Sequence, residues 1–193
     1  MKKLRAFTLI EMMVAVAIFS IVMMIGVGAL LSLTETNRRA QAINSVMQNL
    51  NAALESMSRS IRVGTSYHCQ TSTTPDDPVA LAAPQDCASG GGALFAFEPS
   101  SGDIHNPNDQ IIYRINGTQL ERSLNSGGTW VALTAPEVKI EKFQLYVVGS
   151  SPRSAGDTVQ PRVVMTIKGS APVPGGTTQF TVQASVTERL IDI

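Results

Sequence analysis

A lone carboxylate in an apolar segment is the first residue in the sequence that could do chemistry. Glu11 is the only charged residue between Arg5 and Glu35, and the twenty residues from Met12 to Leu31 carry no charge. As a helix, this run is about 30 Å long, which matches the hydrocarbon core of a bilayer. A carboxylate costs roughly 2.5–3.5 kcal/mol at the centre of a membrane helix and less near an end. Glu11 therefore requires a partner that offsets this cost.

The two cysteines form a second candidate site. Cys69 and Cys87 lie in a segment, residues 64–92, that is rich in Thr, Ser, Pro, Asp and Ala and shows no sustained period. We predict a loop here. In a translocated domain the cysteines are expected to pair, with about 3 kcal/mol of stabilisation; two free buried thiols are the alternative. His68 adjoins Cys69, but no second closely spaced pair completes four zinc ligands.

A third polar group lies between two predicted strands and consists of Asp103, Asn106, Asn108 and Asp109. Calcium binds such oxygens, but their spacing does not match an EF-hand loop, and Pro107 within the group favours a solvated turn. The two histidines, His68 and His105, both lie in loop-like sequence. G-x-S-x-G, H-E-x-x-H and Walker patterns do not occur. We therefore expect no enzyme activity, no catalytic or metal-binding residues and no cofactor.

The composition narrows the class of protein. The 193 residues contain 15 Lys+Arg against 15 Asp+Glu, and 44% are hydrophobic. A nucleic-acid-binding protein would show a basic excess, and a disordered chain would be less hydrophobic. Only 16% of the residues are charged, against roughly 25% in typical soluble domains. The shortage of charged residues is concentrated in the apolar segment. Because the chain has no basic excess, no nucleic-acid partner is predicted.

One long helix is expected to position Glu11. Lys2, Lys3 and Arg5 precede the apolar run and predict a cytoplasmic N-terminus with the remainder of the chain translocated. Beyond Leu33, apolar residues recur at spacings of three and four, which predicts an amphipathic continuation to Val63 that ends at Gly64. The apolar stripe consists of Ile43, Met47, Leu50, Leu54, Met57 and Ile61.

A period of two from Gly92 onward predicts an antiparallel sheet over residues 93–193. Asn116-Gly117 favours a hairpin turn between two of the strands. Because the strands are apolar on one face, the helical stripe is their expected cover, and the fold class is α+β. The predicted strands are Ala93–Phe97, Ile111–Ile115, Thr118–Leu124, Thr129–Thr134, Val138–Val148, Arg162–Lys168 and Phe180–Thr187.

The N-terminal string KKLRA-FTLIEMMVAVAIFSIVMM resembles the N-termini of type IV pilins and of the pseudopilins of type II secretion systems. The resemblance implies a basic leader, residues 1–6, that prepilin peptidase removes between Ala6 and Phe7. It implies N-methylation of Phe7 and an assembly role for Phe7 and Glu11, whose carboxylate pairs with the Phe7 amine of a neighbouring subunit. It also implies the pilin-like fold, in which a long helix packs on an antiparallel sheet. Residues 7–33 would then be the transmembrane and filament-core part, and 34–63 the amphipathic part.

The sequence departs from the family pattern at two points. Ala6 precedes the cut where the family usually has Gly, so the efficiency of cleavage is open. The apolar half contains no proline, which major pilins often have there, and Gly26 and Gly28 are its weak points. A secretory signal peptide is a less favoured interpretation, because the apolar run is longer than the usual 7–15 residues.

The resemblance implies a structural subunit, and the length and C-terminal strand are closer to the larger minor pseudopilins than to a major pilin. Its partners would be other pilin or pseudopilin subunits, prepilin peptidase, an inner-membrane assembly platform and the lipid bilayer. It would reside in the bacterial inner membrane and then in a filament at the cell surface. The alternative is a permanently anchored periplasmic binding or adhesion protein that captures a ligand through Thr65–Gly92 or Gly149–Pro161. Pilus, secretion and DNA-uptake systems remain open.

Overall fold

The computed structural model describes residues 7–189, apart from the side chain of Arg153. The chain divides after Ala42 into two compact units. Helix α1 (Leu9–Val63) contributes residues to both units. The predicted helix is therefore present and begins two residues later than expected, because Phe7 and Thr8 are not helical.

In the first unit, the described residues are the start of the chain from Phe7 and the α1 residues up to Ala42. The large apolar side chains from Phe7 to Leu33 are all between 52% and 79% exposed. An 18-residue window of α1 has a mean hydropathy of 2.7, and none of it is buried. By length and composition the helix can cross a membrane, and its apolar surface has no cover within the unit.

The second unit contains two antiparallel sheets. The first has the order β1-β2-β3-β4-β5, and the second has the order β6-β7-β8. The strands are β1 (Thr65–Gln70), β2 (Leu94–Glu98), β3 (Ile111–Asn116), β4 (Gln119–Ser123), β5 (Val131–Ala132), β6 (Lys139–Val148), β7 (Arg162–Val173) and β8 (Gly176–Thr187). A short helix α2 (Pro78–Leu81) lies between β1 and β2, and a 3-10 turn, Arg153–Ala155, lies between β6 and β7.

The hydrophobic core joins the second part of α1 to both sheets. From the helix, the fully buried members are Leu50, Met57 and Ile61. Both sheets contribute to the same cluster, through Tyr67, Phe95, Phe97, Tyr113, Leu145, Val163, Met165 and Ile167, among others. The helix and the strands thus bury each other's apolar faces, as predicted, and the α+β fold class is confirmed.

The predicted apolar stripe is wrong at its N-terminal end. Met47 is 38% exposed, whereas Val46 packs against the core cluster. Full burial begins only at Leu50. The stripe is therefore shorter than its period suggests, because periodicity reports an apolar face but not where a neighbouring element begins to cover it.

The segment 64–92, predicted as a loop, contains the first strand of the larger sheet. Residues Thr65–Gln70 pair with β2 in an antiparallel ladder that is irregular between Thr65 and His68. Ser66 adopts a positive φ of 53° at this irregularity. Four successive residues, 67–70, are buried, so both faces of the strand are covered. A strand buried on both faces has no polar-apolar alternation, which explains why the period of two was not visible.

Three details of the predicted sheet also need correction. One predicted sheet is in fact two, joined by a bridge between Gly92 and Leu145. The hairpin between β3 and β4 turns at Gly117-Thr118, since Asn116 pairs with Gln119, so it lies one residue later than predicted. The last two strands are longer than predicted and meet at a tight turn, at Pro174-Gly175.

Gly64 ends α1 for a reason that the sequence does not show. Its amide donates to the carbonyl of Ile61, 3.1 Å away. A Cβ atom at this position would clash with the ring of Phe97. Glycine is required here because β2 approaches the end of the helix closely, which lets Phe97 occupy the core.

Candidate functional site

The candidate site at the N-terminus consists of Phe7, Thr8 and Glu11. Phe7 is 76% exposed and precedes the helix. Glu11 lies in the first turn of α1 and is exposed. The predicted cleavage residue Ala6 lies outside the described residues, which begin at Phe7. The structure thus places the predicted methylation residue and the predicted assembly carboxylate within one helical turn of each other.

Thr8 starts the helix and is the residue that the sequence reasoning missed. Its Oγ1 accepts a hydrogen bond from the backbone N–H of Glu11 at 3.3 Å, and its carbonyl accepts one from the N–H of Met12 at 3.2 Å. This is the geometry of a helix N-cap, in which a side-chain oxygen satisfies a free backbone donor. The signal was available, because Thr8-Leu9-Ile10-Glu11 matches the S/T-x-x-E capping box. Thr8 therefore caps the helix, whose first residue is Leu9.

The Glu11 carboxylate has no hydrogen bond or ion pair with any other residue from 7 to 189. As a residue of the first turn, it lies near the positive end of the helix dipole, which favours a negative charge by about 0.3–1 kcal/mol. That interaction is too small to offset the cost of an apolar environment. Chemically, Glu11 is an acceptor available to a cation from another molecule.

The predicted disulfide is confirmed. Cys69 and Cys87 are bonded, with their Cα atoms 5.7 Å apart, and Cys69 is fully buried. The bond joins β1 to the segment before β2, and the Cys69 N–H also donates to the Gln85 carbonyl at 3.0 Å. Gly92 makes room for the bond, since a Cβ atom there would clash with the Cys69 sulfur. The bridge is a structural element of the domain.

The oxygen-rich group between β2 and β3 organises its own loop. An Asp103 carboxylate oxygen accepts from the N–H of His105 at 3.0 Å, and Asp109 accepts from the N–H of Asp103 at 2.9 Å. The Asn106 side chain accepts from the N–H of Asn108 at 3.1 Å. These are turn-stabilising bonds of the Asx type. Within residues 7–189, no three or more His, Cys, Asp or Glu side chains are grouped as metal ligands.

Glu98, at the end of β2, is a buried acid that the sequence reasoning did not single out. It is only 6% exposed, and its Oε1 has no hydrogen-bond partner. Burial raises the pKa of the Glu98 carboxyl, and the nearby Asp109 and Asp103 carboxylates raise it further. The strand sequence before Glu98 is apolar and shows no alternation of polar and apolar residues, so it gave no indication of a buried acid.

Comparison with known protein families decides the identity of the N-terminal site. Residues 1–27 match the family described as the prokaryotic N-terminal methylation motif. This motif supports a type IV pilin-like family for the chain. No curated protein and no solved structure matched it. The match covers the leader, Phe7, Thr8, Glu11 and most of the apolar run, which are the parts on which the resemblance was based.

The motif supports a precursor of the type IV pilin or pseudopilin type that prepilin peptidase processes. The exposed apolar part of α1 is consistent with membrane anchoring of the pilin type. The match ends at residue 27 and leaves the disulfide-containing domain outside it. The architecture of that domain, α1 packed on antiparallel sheets, fits a pilin-like fold.

Proposed function

We propose that the protein is a structural subunit without enzyme activity, a minor pilin or minor pseudopilin of a type IV pilus or a type II secretion-type filament. The observation that carries this proposal is the Glu11 carboxylate, which has no partner among residues 7–189 and begins an exposed apolar helix. A binding protein that is merely anchored needs the apolar helix but not this carboxylate. An assembling subunit needs both.

Cleavage after Ala6 would create the missing partner. Before cleavage, the nitrogen of Phe7 is part of an uncharged peptide bond; afterwards it is an α-amine that is cationic at neutral pH. N-methylation of that amine keeps its positive charge. A desolvated carboxylate is tolerable when it is paired, so the Glu11 carboxylate of one subunit would bind the Phe7 amine of its neighbour. Processing and assembly are coupled in this scheme, because the precursor lacks the cation.

The apolar helix supports the same scheme. Its large side chains are 52–79% exposed, so the subunit must keep them in lipid or against other helices. Transfer from the bilayer to a filament core replaces one apolar environment by another. We place the N-terminus in the cytoplasm, with prepilin peptidase and an inner-membrane assembly platform as partners, and the disulfide-containing domain in the periplasm. That placement agrees with Cys69–Cys87, since disulfides persist in oxidising compartments.

The test replaces Glu11 and uses Glu35 as the matched control. Glu35 is an exposed carboxylate on the same helix, beyond the apolar run. In a host that supplies the peptidase, Glu11→Gln and Glu11→Val should remain membrane-inserted and lose the leader, while filament incorporation falls at least about tenfold, equivalent to about 1.4 kcal/mol. Glu35→Gln should assemble normally. Normal incorporation of both Glu11 variants would refute the pairing.

Mass spectrometry of the mature wild-type protein separates this function from the alternative of a permanently anchored binding protein. Loss of Met1–Ala6 and one added methyl group on Phe7 is the expected result. An intact N-terminus in cells that contain active peptidase would favour the anchor. An Ala6→Gly variant serves as the control for cleavage efficiency, because it restores the residue that the family usually has.

A further inference from the structure

The two sheets have four edges, and the structure protects three of them. Along β1, the outer side is bonded to Gln85, which accepts from the N–H of Cys69 at 3.0 Å and donates to the Tyr67 carbonyl at 2.9 Å. The edge strand β5 is only two residues long, Val131–Ala132. Short or covered edges do not pair with other chains.

The edge formed by β6 is also protected. Its register shifts between Ile140 and Lys142, and the exposed residues there are charged. Gly92 exchanges two backbone hydrogen bonds with Leu145, at 2.7 and 2.9 Å, and the Val147 carbonyl accepts from the N–H of Cys87 at 3.1 Å. Bulges, charges and covering segments are the devices by which proteins block sheet edges.

Strand β8 has none of these devices. It runs over 12 residues from Gly176 to Thr187, without a charged residue or a proline. Its register with β7 is continuous over all 12 residues. In the described part of the chain, no backbone group of residues 176–187 bonds to anything on the side away from β7. Among the described residues, the longest sheet edge is therefore the one left open.

The turn before β8 determines which backbone groups face outward. A two-residue turn closes on the pair Val173 and Gly176, and such a closing pair exchanges both hydrogen bonds. Backbone groups alternate in direction along a strand. The N–H and C=O groups of the even-numbered β8 residues therefore point toward β7, and those of the odd-numbered residues point outward. Pro172 agrees, because it has no N–H and lies opposite Thr177 in a non-bonded pair. The outward residues are Thr177, Gln179, Thr181, Gln183, Ser185 and Thr187.

We propose that β8 pairs antiparallel with β8 of a second copy of this chain, about a two-fold axis at Val182. This register places each outward residue opposite another outward residue: Thr177 opposite Thr187, Gln179 opposite Ser185, and Thr181 opposite Gln183. It is the register that uses all six outward residues. Each such pair exchanges two hydrogen bonds, so about twelve backbone bonds would form across a continuous six-stranded sheet.

The side chains fit this register. On the solvent face, every opposed pair combines exposed, uncharged polar residues, and no like charges meet. On the other face, Phe180 lies opposite Ala184, a large residue opposite a small one, and Val182 lies opposite itself. Val182 and Ala184 are only partly buried in the single chain, so pairing would cover them further.

A second copy is the occupant that the edges favour. Two copies could pair head to tail only if the chain offered a second open edge, and the other three edges are short or covered. Self-pairing of β8 with itself is therefore the arrangement open to this chain, and it is the isologous contact of a two-fold dimer. Recognition is by main-chain hydrogen bonds along a strand edge.

Site-specific cross-linking of the full-length protein in detergent tests the pairing. In Val182→Cys, the two new thiols would lie in a directly opposed, non-bonded pair with Cα atoms about 4.5 Å apart, within disulfide range. In the control Ser185→Cys, they would lie six residues apart, about 20 Å. The control thiol is more exposed, so random collision would favour it. Both native cysteines are already bonded.

Under mild oxidation, Val182→Cys should form a covalent homodimer at least roughly tenfold more efficiently than Ser185→Cys, because disulfide geometry is specific. Equal cross-linking of the two variants, or none, would overturn the proposal. So would cross-linking of Val182→Cys exclusively to a different pilin-like subunit in cells. The Ser185→Cys control accounts for association through the N-terminal helix, because both variants carry the same helix.

A second variant tests the hydrogen bonds themselves. Gln183→Pro removes an outward N–H and leaves the β7 ladder intact, and Gln183→Thr keeps the N–H. On the Val182→Cys background, proline should reduce the cross-linked fraction several-fold, whereas threonine should not. The fluorescence of Trp130 confirms that the domain stays folded. An unchanged cross-linked fraction in the proline variant would contradict edge pairing.

Discussion

Reduction of the Cys69–Cys87 disulfide is a perturbation whose effect can be worked out from the structure. The bond closes a loop with a sequence separation of 18 residues. Reduction removes the cross-link without deleting an atom from the core, unlike a substitution at the fully buried Cys69. Because Cys69 is fully buried, the chain is reduced in denaturant and refolded under reductant to ensure complete reduction.

The expected loss follows from the entropy of the unfolded chain. For a loop of about 18 residues, the chain-entropy relation gives about 3 kcal/mol at 25 °C. Because this entropy loss belongs to the unfolded state, the native hydrogen bond from the Cys69 N–H to the Gln85 carbonyl should not reduce it. For a domain of this size, roughly 3 kcal/mol corresponds to a fall in Tm of about 6–12 °C.

The assay is urea unfolding of the oxidised and reduced protein in the same detergent. Trp130 is the only tryptophan, and it lies in the domain that contains the sheets, so its fluorescence follows that domain alone. The midpoint should fall on reduction, and the m-value should rise slightly because the unlinked chain exposes more surface. A difference in unfolding free energy below about 1 kcal/mol would refute the loop-closure reasoning.

Two further predictions concern single residues. Burial and the neighbouring Asp109 and Asp103 carboxylates raise the pKa of Glu98, so the folded state holds this proton more tightly than the unfolded state, and stability is lost as pH rises from about 4. Glu98→Gln should therefore be more stable than wild type at pH 7 and equal to it below pH 4 in urea titrations; a less stable variant at pH 7 would contradict this. Thr8→Val should cost the start of α1 about 1 kcal/mol. The loss is measured as faster hydrogen exchange of the Glu11 and Met12 N–H groups, which bond to Thr8. Thr8→Ser is the control, and equal exchange in both variants would exclude the cap.

The elements with strong periods could be predicted from the sequence alone. The apolar run and its amphipathic continuation predicted α1, and Leu50, Met57 and Ile61 from the stripe are fully buried. The hairpin of β3 and β4 was found because its strands alternate and a glycine lies between them. In each case the signal is local, since the residues that form the pattern are the residues that form the element.

Elements that depend on tertiary cover could not be predicted. Strand β1 contains Tyr67, His68, Cys69 and Gln70, all buried, so polar and apolar side chains are equally enclosed and no period remains. The need for glycine at Gly64 comes from the ring of Phe97, which is distant in sequence. The division into two sheets depends on pairings that leave no mark on the individual strands.

The same contrast separates the two proposed interfaces of this pilin-like protein. The N-terminal pair could be predicted because Phe7 and Glu11 lie within five residues, so their proximity follows from the sequence alone. The edge of β8 could not. Its alternating Thr, Gln and Ser residues predict a solvent-facing strand, and they would do so equally for a strand inside a sheet. The strand order shows that β8 lies at the edge of its sheet. Because the other edges are short or covered, the edge of β8 is the candidate contact surface.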